Sequence, residues 1–95
     1  MAALWERFRG TTMERVSALE DALRALRDAP DAAGPRAEAV ASAHKLAGSL
    51  GTFGFAEASR LARACEQLLD GAAPLAPETL DLLIAHAASI RAELG

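Results

Sequence analysis

Tyrosine is absent from this 95-residue chain, and its aromatics amount to one tryptophan and three phenylalanines. With so few rings, the apolar half of the composition is carried mainly by alanine and leucine, which favours helices packed closely through small side chains. There is one cysteine, Cys65, so no internal disulfide can form. Basic residues do not dominate: the formal net charge is −3 and the pI about 5.3. That balance excludes the clustered basic surface of a nucleic-acid binder. No apolar run approaches the roughly 20 residues that span a bilayer. The start, Met-Ala-Ala-Leu-Trp-Glu-Arg, lacks the basic-then-apolar layout of an export signal. These absences predict a cytoplasmic chain with no membrane segment, organised as a single domain over 1–95. Internal repeats, low-complexity tails and strand-like alternation are missing too.

What is present is helical periodicity. Residues 2–28 carry Trp5, Phe8, Thr12, Val16, Leu19, Leu23 and Leu26 at spacings of three and four, with charges between them. Gly10-Thr11-Thr12 is weak in helix propensity, but the stripe keeps its phase across it and favours continuity. Ala29 to Pro35 holds two prolines and a glycine and reads as a turn. A second helix is expected from about Pro35 to Leu50, with Gly51 as its C-terminal cap; Asp31 offers an earlier start. After a short connection, a third helix is expected from Phe55 to Asp70, with Ala58, Leu61, Ala62, Cys65, Leu68 and Leu69 inward. Pro77 opens a fourth, with Leu80, Leu83, Ile84, Ala87, Ile90 and Leu94 inward and Glu78 and Asp81 favoured by the dipole at its start. Four amphipathic helices with short loops predict an all-α, antiparallel up-and-down four-helix bundle.

The stretch from Ala43 to Phe55 stands apart. At about 100° per residue, Gly48, Gly51 and Val40 fall within about 40° of His44, whereas Leu46 and Leu50 fall on the opposite side. An imidazole thus faces out above a floor nearly free of side chains. A glycine inside a helix costs about 1 kcal/mol relative to alanine. Its presence at position 48 suits either the close approach of another molecule or a tight helix crossing. There is no Cys/His metal spacing, no nucleophile elbow and no phosphate-cradling loop preceded by a strand. The other histidine, His86, is 42 positions away on the fourth helix. A lone reactive histidine is the chemistry that remains.

Ala43-His44-Lys45-Leu46-Ala47-Gly48-Ser49, followed by Gly51, Gly54 and Arg60-Leu61-Ala62-Arg63, resembles the histidine-containing phosphotransfer (HPt) domain family. His44, Leu46, Gly48 and Ser49 match that family's motif, and the order of helices fits along nearly the whole chain. One departure is clear: many members carry lysine three places after the histidine, where this chain has Ala47. Lys45 is the nearby lysine, about 100° round the helix. Many members also place a glutamine on the third helix beside the histidine; counting puts Glu66 there, with Gln67 adjacent.

The resemblance implies a phosphorelay intermediate without kinase activity of its own. His44 would be the phosphoacceptor, taking a phosphoryl group from a receiver aspartate or a sensor kinase and passing it to a response-regulator receiver domain. No cofactor and no metal of its own are implied; the receiver brings Mg²⁺. Lys45, Gly48, Glu66 and Gln67 are candidates for phosphate or partner contact. Val40, Ala41, Ala47 and Leu50 would form an apolar contact ring beside Gly51, with Arg36, Lys45 and Arg60 as a polar rim. Lys45, Glu66 and Gln67 are equally readable as ordinary surface groups, and Arg60 and Arg63 read more readily as helix-surface charges than as docking residues. A monomer is expected. The alternative is an adaptor bundle of the same fold that binds receivers without being phosphorylated, a reading motivated by Ala47.

Overall fold

The computed structural model describes residues 2–71 and 73–95. Four helices account for most of them: α1 (Ala2–Asp28), α2 (Ala33–Thr52), α3 (Ala56–Leu69) and α4 (Pro77–Leu94). No strand occurs among the described residues. Each helix packs on two neighbours in the cyclic order α1, α2, α3, α4, and α4 closes back on α1. The result is an up-and-down four-helix bundle measuring 41 × 19 × 19 Å. The long dimension is set by α1, whose 27 residues at about 1.5 Å each reach about 40 Å.

The stripes read from the sequence make the core. Val16, Leu19, Leu23 and Leu26 of α1 are fully buried, with Leu46 and Leu50 of α2, Cys65 and Leu69 of α3, and Leu83 and Ile90 of α4. α1 runs unbroken through Gly10-Thr11-Thr12. Thr12 is tolerated in the buried stripe because its hydroxyl donates to the carbonyl of Phe8 at 3.0 Å. The beginning of the stripe departs from expectation. Trp5 is half-buried and meets Phe53 and Phe55 edge-on, at 5.3 and 4.8 Å between ring centres. Phe8 lies outside the core and is 42 % exposed. These first turns of α1 pair with the α2–α3 connection rather than with four helices at once.

Two boundaries of α2 differ from the sequence reading. The helix starts at Ala33, two residues before Pro35, with Ala32 as a cap that contributes no side-chain bond. Proline is accommodated because the first turn has no need of its amide hydrogen. At the other end Gly51 is not the cap, and the helix continues to Thr52. The chain turns at Gly54, whose φ of 86° is the left-handed conformation glycine adopts without strain. Phe55 N–H donates to the Leu50 carbonyl and Gly54 N–H to that of Gly51, a Schellman closure that satisfies the last carbonyls. Ala72, in the connection expected before α4, and Met1 lie outside the described residues. Leu75 in that connection is buried, and its N–H donates to Pro30, joining the two loops at one end of the bundle.

Candidate functional site

α2 and α3 meet through small side chains. Ala39, Ala43 and Ala47 are buried on one side, and Ala58, Ser59 and Ala62 on the other. Ser59, missing from the expected stripe, donates its hydroxyl to the Ala47 carbonyl at 2.6 Å. Gly51 belongs to this contact: a Cβ there would stand 3.3 Å from the Ser59 hydroxyl oxygen. Its lack of a side chain is therefore explained by the approach of α3.

This close seam brings α3 within reach of the histidine. His44 sits in the middle of α2 with its side chain 74 % exposed. Its Nδ1 lies 2.8 Å from a carboxylate oxygen of Glu66. A carboxylate only accepts, so Nδ1 carries the hydrogen and donates it. That fixes the neutral ring in the tautomer whose Nε2 holds a lone pair, and Nε2 has no partner among the described residues. Of the two candidates on α3, Glu66 makes the bond. Gln67 is exposed and lines the adjoining cleft.

That cleft, of about 820 Å³, runs between α2 and α3 from His44 and Glu66 past Val40, Ala41 and Ala37 to Arg36 and Asp70. Arg36 does not belong to a free polar rim. Its guanidinium donates to the carbonyls of Leu69 and Asp70, where α3 ends, and of Ala73 in the connection that follows. Val40 is half-buried and Ala41 exposed, and both line the cleft as expected. Ala47 and Leu50 do not join them. Ala47 is 4 % exposed and Leu50 fully buried, so neither supplies a contact ring. Ala47 is covered by α3, whose Ser59 hydroxyl donates to its carbonyl, and Leu50 lies in the common core.

Gly48 lies exposed one turn beyond His44, and a Cβ there would meet nothing within 4 Å. A helix crossing is thus excluded as the reason for this glycine. Lys45 is exposed and enters no ion pair among the described residues. Arg60 makes two bonds to Glu57 on its own helix, which hold the Glu57 carboxyl below its usual range and raise the guanidinium's affinity for its proton. It is not among the residues lining the cleft. Cys65 is buried in the core, and burial pushes its thiol up to about 11. His86 is half-buried on α4. Among the described residues no three His, Cys, Asp or Glu side chains gather as metal ligands, and no helix is long and apolar enough to cross a membrane.

A solvent-facing histidine in mid-helix, oriented by a carboxylate from the next helix of a four-helix bundle, defines a class of histidine-bearing helical domains. The chain belongs to the Hpt domain family, whose model it matches over residues 3–93. No curated protein and no solved structure gives a match. The Hpt family serves histidine phosphotransfer in two-component signalling, and its members act with receiver domains and kinases as phosphotransfer carriers rather than as autonomous kinases.

Proposed function

We propose that this protein is a phosphorelay intermediate in which His44 Nε2 accepts a phosphoryl group from a receiver aspartate or a sensor kinase and passes it to another receiver domain. The observation that carries the reading is the exposed ring of His44 with Nδ1 held by Glu66 at 2.8 Å. A free lone pair on a solvent-facing nitrogen is what in-line attack on an acyl phosphate needs. Transfer of this kind asks for positioning and charge stabilisation, and little else from the protein. The receiver brings the Mg²⁺ and the acidic pocket, and this chain acts as a cytoplasmic carrier with no cofactor of its own.

Gly48 leaves room beside the ring for the receiver's aspartate to approach. Val40, Ala41 and Gln67 along the cleft, and Lys45 on the other flank of α2, border the area where a receiver would seat. Lys45 is the cation nearest in sequence to the phosphoryl group, in place of the lysine that other members carry where this chain has the buried Ala47. Gly51 and Arg60 lie further along the same two helices, at the margin of such a footprint.

The test is incubation with a phosphorylated receiver and Mg²⁺. Wild type is expected to gain an acid-labile, alkali-stable label, and His44→Gln to gain none while keeping its helical content. Label that is acid-stable, or that persists in His44→Gln, refutes the relay. Receiver binding without any label would identify the adaptor instead.

A further inference from the structure

We propose that Glu66, besides orienting His44, keeps the Nδ1 proton on the ring while Nε2 is phosphorylated, and thereby holds the phosphohistidine in the form that readily gives up its phosphoryl group. This rests on the reading of His44 as the phosphoacceptor.

When the Nε2 lone pair attacks the phosphorus of an aspartyl phosphate, the Nε2–P bond forms. The P–O bond to the aspartate breaks, and its electron pair leaves with the carboxylate. The ring still bears its hydrogen on Nδ1, so it has become a phosphoimidazolium with one positive charge. Two fates are open to it. If Nδ1 loses its proton to water, the neutral phosphoimidazole that remains can release phosphorus only by leaving as an anionic ring, a poor leaving group. If the proton stays, the next carboxylate oxygen attacks phosphorus, the Nε2–P bond breaks, and its pair returns to Nε2. The ring then departs as neutral imidazole in the tautomer it started from. No proton has to be fetched or discarded in the cycle.

The geometry favours the second fate. The Glu66 oxygen sits 2.8 Å from Nδ1 on the side of the ring away from Nε2, so it can hold the Nδ1 hydrogen while Nε2 is occupied. A hydrogen bond with an ionised partner is about twice as strong as a neutral one, and between Glu66 and the phosphorylated ring both partners are charged. Glu66 is also the more sheltered partner, its side chain 31 % exposed against 74 % for His44. Its attraction is therefore less screened than that of a fully solvated pair, but not that of a dry one. An amide at this position would orient the ring equally well and lack the charge. The carboxylate thus favours rapid passing-on over storage, and it also leaves the phosphohistidine more open to attack by water.

The experiment charges wild type, Glu66→Gln and Glu66→Ala with phosphoramidate, which labels the histidine without any partner protein. Phosphorus NMR at neutral pH then follows loss of the label, and ¹⁵N NMR reads the protonation of Nδ1 in the phosphorylated ring. The label is expected to last about threefold to tenfold longer in both variants, the scale of removing the anionic partner of the Nδ1 hydrogen. Transfer to a receiver should slow by a similar factor. The wild-type Nδ1 should show a protonated-type shift, and the variants an unprotonated one. Equal lifetimes, or the same Nδ1 shift in all three proteins, overturn the proposal. Because labelling by phosphoramidate needs no receiver, these readouts judge Glu66 separately from the relay itself.

Discussion

The two seams that hold α1 to α4 and α2 to α3 are built on different plans. The groups that α1 and α4 bury are mostly large: Val16, Leu19, Leu23, Leu26, Leu80, Leu83, Ile90 and Leu94, with only Ala22 and Ala87 small. The polar ties sit outside them. Arg91 donates twice to Glu20 and once to Ser17, and Arg27 pairs with Asp81. α2 and α3 bury more small groups, Ala39, Ala43, Ala47, Ala58, Ser59 and Ala62 beside their leucines, and the polar ties between them are Ser59 to the Ala47 carbonyl and His44 to Glu66. Bulk keeps the first pair of helices apart and supplies burial. Smallness lets the second pair approach until a side chain on α3 reaches the histidine on α2. One seam stabilises the fold and the other builds a site.

The largest effect should come from the bulky seam. Leu23→Ala is expected to cost about 2–5 kcal/mol, read as a drop in the denaturant midpoint, because a fully buried leucine leaves a cavity. A cost near that of a surface change would remove the contrast between the seams. The next is alkaline. Cys65, buried where α3 meets the core, has its thiol pushed from the usual value near 9 up to about 11 by burial. Between those values the unfolded chain sheds the proton and the native one retains it. Stability should therefore fall as pH rises from about 9 to about 11, and Cys65→Ala should flatten that part of the profile. Ser59→Ala should cost about 1 kcal/mol by deleting the bond to the Ala47 carbonyl. It should also loosen the α2–α3 spacing, seen as a change in the His44 ring NMR signals. Unchanged signals would mean that alanine packing alone sets the distance. Smallest in stability, and opposite in sign, is Gly48→Ala. With no atom within 4 Å of the added methyl, it should stabilise the helix by up to about 1 kcal/mol. It should at the same time slow phosphoryl exchange with a receiver, by crowding the approach to His44.

Much of the architecture was legible in the order of residues. The stripes of α3 and α4 emerged nearly position for position, because a spacing of three and four leaves a helix in a small bundle one way to face. The ends were less legible. Gly51 and Gly54 are both glycines after an apolar run, and only the folded chain separates their duties: one admits the Ser59 hydroxyl, the other turns left-handed. The site was legible in part. His44 and Gly48 could be placed on an outer face from angles alone, and Glu66 was reached by counting along α3. Angles on one helix could not tell that Ala47 and Leu50 are covered, since that depends on where the neighbouring helix lies. Ser59 and Arg36 escaped for a related reason. A serine in a stripe and an arginine in a first turn look solvated until the carbonyls they serve are known. Phe8 kept the right spacing but lies where the bundle has too few neighbours to enclose it.

His44 is carried by the middle of a helix rather than by a loop. A loop can fold over a reacting group and shelter it. Among the described residues no segment folds over this mid-helix ring, which stays 74 % exposed. On the relay reading, shelter that a docked receiver gives the phosphorylated ring departs with that receiver, so the interval of protection follows how long the two proteins remain together.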